Sequence, residues 1–259
     1  MNKHYGTVLI MGLNFINTTM HSFLNETIYP LLESKEKCFI VTANPELVMG
    51  TRESSEFKHH VDSADYVLPD GIGIINAAKI KGMPLRERIS GVDLTQAMLE
   101  YAAKNDYSVF FLGAKKDSNQ KAVKNAKKTF PGLIVAGHEH GYADITSESF
   151  IDSMVATRPD IILVALGMQR QEKWIFDNIN RFDKGIFIGV GGTLDVMSGN
   201  VKRAPKIWIT LQLEWLYRLI QEPKRFFRIL KVMEFMLLHV PIVGPIIQKL
   251  KFNENRKKR

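Results

Sequence analysis

The chain has 259 residues, 45% of them apolar and 24% charged, which is ample material for a buried core and excludes a disordered or fibrous protein. Its single cysteine, Cys38, lies in the apolar run Cys38-Phe39-Ile40-Val41, which excludes a disulfide framework or a multi-cysteine metal centre and suits a reducing, cytoplasmic compartment. Charge is uneven: residues 201–259 hold 14 Lys and Arg against 4 Asp and Glu, a net of +10, whereas the first 200 residues carry a net of −2.

Met1 to Tyr5 is polar and Val8 to Leu13 is too short for the apolar core of an export signal. No run approaches the roughly 18 uninterrupted apolar residues of a membrane span. Short β-branched or aromatic runs then alternate with longer helical patterns. Strands are expected at Thr7 to Leu13, Lys37 to Thr42, Tyr66 to Leu68, Ser108 to Leu112, Leu133 to Ala136, Asp160 to Leu166 and Gly185 to Val190. Helices are expected at Pro45 to His60, Val92 to Lys104, Asp117 to Thr129, Ser147 to Thr157 and Gln171 to Arg181. This alternation reads as an α/β fold, a Rossmann-like, mostly parallel sheet, and runs such as Ile161-Ile162-Leu163-Val164 require cover on both faces.

Ligands of such folds bind at the carboxyl ends of the strands. There the chain places Thr42-Ala43-Asn44-Pro45-Glu46, Pro69-Asp70-Gly71-Ile72-Gly73, Gly167-Met168-Gln169-Arg170-Gln171-Glu172 and Gly189-Val190-Gly191-Gly192-Thr193-Leu194-Asp195. Asn44-Pro45 also fits a helix cap, and Asp70 a simple turn, but four strand ends carrying such groups favour a shared site. Gly189, Gly191 and Gly192 fit either a tight turn or a phosphate-binding loop. Gly71-Ile72-Gly73 begins like a dinucleotide fingerprint but lacks its third glycine and a ribose-binding acid. His138 and His140 flank Glu139 without a further well-spaced ligand, so no metal site is expected. No nucleophile elbow and no Walker loop is present.

In their order, these motifs resemble those of the WecG/TagA/CpsF family of bacterial glycosyltransferases, glycosyltransferase family 26. The resemblance runs from Thr42 to Glu46 through Ala64 to Gly73, Arg88-Ile89-Ser90-Gly91-Val92-Asp93, Phe111-Leu112-Gly113, Gly141-Tyr142 and Gly167 to Glu172, and ends at Val190 to Asp195. One departure is visible: the family usually has proline before the basic residue of its Gly-x-Pro-Lys/Arg-Gln-Glu motif, and here Gln169 precedes Arg170. The resemblance implies transfer of a sugar from a UDP-sugar donor to a polyprenyl-diphosphate-linked sugar acceptor during cell-surface polysaccharide or teichoic acid synthesis. Well-known members add N-acetylmannosamine to N-acetylglucosamine with inversion and without a metal or other cofactor. It puts the candidate base at Asp70, motif residues at Thr42 and Asn44, and donor-site motifs at Gln171 and Asp195.

These residue types suit the chemistry. An inverting transfer needs a carboxylate such as Asp70 to take the acceptor proton. The departing diphosphate needs cations and amides, for which Arg88 and the Gly191-Gly192 loop are available. Thr42, Asn44 and Gln171 are neutral groups that orient sugar hydroxyls, and Asp195 fits a ribose contact or a helix cap.

The chain thus divides into an α/β catalytic body, residues 1–200, and a basic appendage, residues 201–259. Lys206 to Gln221 and Lys224 to His239 mix aromatic and aliphatic residues with Lys and Arg, as interfacial membrane helices do. Met236 to Ile247 is broken by Pro241, Gly244 and Pro245 into an in-plane or re-entrant element, and Arg256-Lys257-Lys258-Arg259 is a polybasic tail. Arg218, Arg225 and Arg228 lie where the family places arginines that complete the active site. The expectation is a peripheral enzyme on an anionic membrane surface, the inner face of the plasma membrane, with no nucleic acid partner and with homo-oligomerisation left open. The alternatives are a nucleic-acid-binding module that works through its tail and a nicotinamide-dependent oxidoreductase.

Overall fold

The structure is a computed structural model that describes residues 5–211, 213–221 and 226–239; the side chains of Lys206, Ile209, Arg218 and residues 226–229 are also outside the description. It opens with a hairpin of β1 (Thr7–Ile10) and β2 (Leu13–Ile16), in which Ile10 faces Leu13. The run expected as one strand, Thr7 to Leu13, folds back because Met11 and Gly12 both adopt positive φ (+48° and +89°), the signature of a type I′ turn. A helical segment follows: α1 (Met20–Phe23), a π-helical turn (Leu24–Ile28) and α2 (Tyr29–Ser34). Pro30, which has no N–H to give the preceding turn, is the second residue after the widened stretch.

Six strands form the central sheet: β3 (Lys37–Ala43), β4 (Tyr66–Pro69), β5 (Ser108–Gly113), β6 (Ile134–Glu139), β7 (Ile161–Ala165) and β8 (Gly185–Gly189). They are all parallel, in the order β4-β3-β8-β7-β5-β6. Between them run α3 (Pro45–Glu53), α4 (Ser55–Asp62), α5 (Ile72–Ile80), α6 (Gly91–Lys104), α7 (Lys116–Thr129), α8 (Glu148–Ala156) and α9 (Arg170–Asn178), and α10 (Thr193–Ser198) follows β8. The single helix expected from Pro45 to His60 is two, because Ser54 leaves helical geometry and its Oγ caps α4 by accepting from the Phe57 N–H at 3.1 Å.

Strand alternation builds two cores. Phe39, Val41, Phe110, Leu112, Ile162, Val164 and Phe187 point to one face, where Leu47, Val48, Phe57, Trp174 and Ile175 cover them. Cys38, Ile40, Val109, Phe111, Ile161, Leu163, Ile186 and Ile188 point to the other, beneath Phe23, Ile28, Leu94, Met98, Ala122 and Leu194. A strand apolar at every position therefore satisfies both faces.

The amino edge of the sheet is closed by carboxylates. Asp65 accepts from the Phe39 N–H at 2.8 Å. Asp160 accepts from the Ser108 N–H and hydroxyl at 2.8 and 2.9 Å and pairs with Lys184, joining the starts of β5, β7 and β8.

The C-terminal part forms α11 (Lys206–Thr210), α12 (Glu214–Gln221) and α13 (Phe226–His239). Phe235 and Leu238 of α13 join the core that contains α3 and α5, and Lys231 pairs with Glu53 at 2.6 Å. Arg203 pairs with Asp93 of α6 at 2.6 Å. Most of the segment Met236 to Ile247, and the tail Arg256 to Arg259, lie outside the described residues.

Burial opposes the charge of Asp160, but its bonds to Lys184 and Ser108 outweigh burial and hold its carboxyl below the usual range. Its stabilisation is therefore fully present above the ordinary carboxylate pKa and is lost as pH falls through the lowered folded value. Asp160→Asn is expected to cost about 2 kcal/mol at pH 7 and to flatten the acid limb of a stability-versus-pH curve measured by urea unfolding.

Candidate active site

The carboxyl ends of β3, β4, β7 and β8 surround a cleft of about 320 Å3. Thr42, Asn44, Asp70, Arg88, Gln171, Gly191 and Gly192, all singled out in the sequence, line it. So do residues in the first turns of α3, α5, α6, α9 and α10, because each of these helices starts at this edge of the sheet. The positive ends of their dipoles face a common space, a setting that favours an anion.

Asn44 caps α3: its Oδ1 accepts from the Leu47 N–H at 2.9 Å, and Pro45 occupies the first helical position. The cap is therefore real, and the residue lines the cleft as well. Gly73 lets the start of α5 close on α3, since a Cβ there would lie 2.6 Å from Pro45 Cγ. The Gly71-Ile72-Gly73 pattern thus has a packing cause. Thr42 Oγ1 donates to the Gly189 carbonyl at 3.4 Å, linking the ends of β3 and β8.

Asp70 follows β4, held by its N–H bond to the Ala43 carbonyl at 3.0 Å, and the neighbouring Ile89 N–H donates to the Pro69 carbonyl at 2.9 Å. That second bond delivers Arg88, whose Nε stands 3.7 Å from Asp70 Oδ1. The loop before Arg88 is anchored on the hairpin side, where Asn17 Oδ1 accepts from the Arg86 N–H at 2.8 Å. Burial works against the charge of Arg88, but Asp70 and Glu214 outweigh it and raise its pKa, so the guanidinium stays protonated.

Glu214, the first residue of α12, binds Arg88 at 2.8 Å, and Trp215 and Val232 add an apolar wall. The appendage therefore forms part of the cleft. The sequence placed neither Glu214 nor Trp215 in the site, Trp215 being read with the aromatic residues of a membrane-facing helix; the signal available for Glu214 was an acid in a strongly basic segment.

At the β7 end, Gln171 and Glu172 are buried. Gln171 Oε1 accepts from the Gly191 N–H at 3.1 Å, and its Nε2 donates to Glu172 Oε1 at 2.8 Å. Glu172 Oε2 accepts from the Gln169 N–H at 2.7 Å. Burial raises the Glu172 carboxyl above the usual carboxylate range even though these donors favour its charge. Gln169 adopts φ +72° and ψ −48°. A proline ring, fixed near φ −65°, has no access to that conformation, so the glutamine at this place in the motif gives the loop a different shape.

Asp195 lies in the first turn of α10 and is not among the cleft-lining residues. The N-cap of α10 is Gly192, so the cap role weighed for Asp195 is replaced by one near the positive end of the helix dipole. Arg225 lies outside the described residues, as do the side chains of Arg218 and Arg228. His138 is exposed and its Nδ1 meets Asn119 Oδ1 at 2.9 Å. Among the described residues no group of three His, Cys, Asp or Glu is placed to hold a metal.

The model of the glycosyl transferase WecG/TagA/CpsF family matches residues 8–247, spanning body and appendage. A protein of Bacillus spizizenii named N-acetylglucosaminyldiphosphoundecaprenol N-acetyl-beta-D-mannosaminyltransferase is 38% identical over 227 residues, 88% of each chain. Proteins of the same name from Staphylococcus aureus and Bacillus subtilis are 35% identical over 228 residues and 34% identical over 232. These alignments cover 88% and 89% of this chain and 89% and 90% of theirs. With its strand-end motifs gathered around one cleft and this likeness along most of its length, the chain belongs to the WecG/TagA/CpsF family and is a glycosyltransferase.

Proposed function

We propose that the protein transfers N-acetylmannosamine from a UDP-sugar to N-acetylglucosamine on a polyprenyl diphosphate, with inversion and without a metal. The observation that carries this is the Asp70 carboxylate beside the Arg88 guanidinium, in a cleft where five helices begin. The names of the relatives supply the sugar and the acceptor.

In this mechanism an acceptor hydroxyl oxygen attacks the anomeric carbon from the side opposite UDP. Asp70 takes the hydroxyl proton as the new C–O bond forms. The old C–O bond breaks, its electron pair leaves on the diphosphate, and the configuration inverts. Helix-terminal N–H groups and Arg88 meet the growing negative charge. Glu46, Asp70, Glu172 and Glu214 outnumber Arg88 among the described charges of the cleft, so a diphosphate needs further cations. We assign Arg218, Arg225 and Arg228 of the appendage to that task, as forked donors to phosphate oxygens.

The same appendage binds the membrane in this account, which puts the enzyme at the cytoplasmic face. On α13, Phe235 and Leu238 turn inward, while Leu230, Met233 and Leu237 form an exposed apolar stripe. Ile207, Leu211 and Ile220 are also exposed. Among the described residues no helix is long and apolar enough to cross a membrane. An in-plane contact, aided by basic residues, suits these features.

UDP release on mixing UDP-sugars with a short-chain lipid-diphosphate-linked N-acetylglucosamine is the direct assay, with turnover expected from UDP-N-acetylmannosamine and expected to survive a chelator. Asp70→Asn should lower turnover by about two orders of magnitude or more while UDP binding persists; activity within a few-fold of the parent would remove Asp70 from the role. Flotation with anionic vesicles should succeed where binding to nucleic acid fails at about 200 mM salt. Met233→Glu should weaken flotation without changing UDP binding. Arg218→Lys, by contrast, should leave flotation intact and lower turnover, because lysine keeps the charge and loses the fork.

A further inference from the structure

Glu172 is 1% exposed, yet it stands in the wall of the cleft and belongs to none of the steps above. It accepts on both sides, Oε1 from Gln171 Nε2 at 2.8 Å and Oε2 from the Gln169 N–H at 2.7 Å. The next link is Gln171 Oε1, which accepts from the Gly191 N–H at 3.1 Å. A side-chain amide has two orientations that differ only by exchanging O and N, and its neighbours decide between them. Glu172 accepts at both oxygens and the Gly191 N–H can only donate, so Glu172 draws the Nε2 end of Gln171 to itself and turns Oε1 toward Gly191. The flipped amide would set NH2 against the Gly191 N–H and carbonyl oxygen against carboxylate, losing both bonds. Gly189 leaves room for this arm: a Cβ there would lie 2.7 Å from Gln171 Nε2.

We propose that Glu172 is a positioning residue for the donor, orienting the Gln171 amide and through it the Gly191-Gly192 loop whose backbone receives the donor's diphosphate. This inference rests on the UDP-sugar reading above. It assigns Gln171 chiefly to holding the loop, since both ends of its amide are already bonded to protein.

Two measurements test it in the full-length protein: hydrogen exchange of residues 189–194, read by mass spectrometry, and calorimetric titration with UDP. Glu172→Gln keeps the size of the side chain but offers one acceptor where two are needed. It should speed exchange in that segment, weaken UDP binding by about tenfold and raise the donor KM, leaving the acceptor KM within twofold. The exchanged pair Gln171→Glu/Glu172→Gln keeps all three bonds and reverses only the one between the two side chains, position 171 accepting from both Gly191 and position 172 while position 172 still accepts from the Gln169 N–H, so its exchange should return to the parent level. Gly189→Ala, which displaces the Gln171 amide from the other side, should resemble Glu172→Gln and serves if that variant is unstable.

Unchanged exchange in Glu172→Gln would overturn the inference, as would exchange that the exchanged pair does not restore. Faster exchange with UDP affinity within twofold of the parent would also overturn it, because the loop would then not hold the donor. Failure of the parent protein to bind UDP counts instead against the donor reading, and the exchange comparison still decides whether Glu172 holds the loop.

Discussion

A parallel sheet buried on both faces imposes the geometry on which everything else depends. The chain must return to the same edge before each next strand begins, so the first helix of every crossover starts near the carboxyl ends of the strands. In this chain that constraint brings the starts of α3, α5, α6, α9 and α10 to one cleft. The apolar alternation that separates Phe39 and Val41 from Cys38 and Ile40 belongs to the stability of the fold, and the convergence of N–H groups is its by-product. A setting that favours an anion therefore follows from the architecture before any side chain is chosen.

Arg88 connects the parts. Its guanidinium stands between Asp70 of the body and Glu214 of the appendage, at 3.7 and 2.8 Å, and its loop is tied to the N-terminal hairpin. A shift of α12 would therefore be felt by the group beside the candidate base. Phe235 of α13 is buried in the body core, and the family match likewise continues past the sheet, to residue 247. The last strand ends at Gly189, and the cleft draws on residues from the sheet and from α12 and α13 alike.

Polar groups that bridge neighbouring strand ends do the fine positioning. Asp160 joins three strand starts at the amino edge, and Glu172 with Gln171 joins two loops at the carboxyl edge. Both are carboxylates accepting from a backbone N–H, Asp160 from the start of β5 and Glu172 from the N-cap of α9. Burial acts differently on them: at Asp160 a lysine offsets it and the carboxyl stays acidic, whereas at Glu172 only neutral donors oppose it and the pKa rises.

Much of this was legible in the sequence, because strand periodicity and the residues after each strand are local signals. The α/β class, six of the strands and the membership of Thr42, Asn44, Asp70, Arg88, Gln171, Gly191 and Gly192 in one cleft follow from runs of apolar residues and from motif order. Local turn chemistry was harder to read. Thr7 to Leu13 is apolar on through a turn that reverses it, and Pro45 to His60 keeps helical spacing across the cap at Ser54. Tertiary structure alone decided which partners side chains found. Glu214 is 126 residues from Arg88 in the chain, and Gln171 is 20 from Gly191. No periodicity records such pairs, since they depend on how the crossovers fold back over the sheet. For the same reason Asp195, a motif residue in sequence, stands in the first turn of α10 beside the cleft-lining glycines without lining the cleft itself. The side chain's direction is set by the helix that Gly192 caps, and packing of the whole domain fixes that helix.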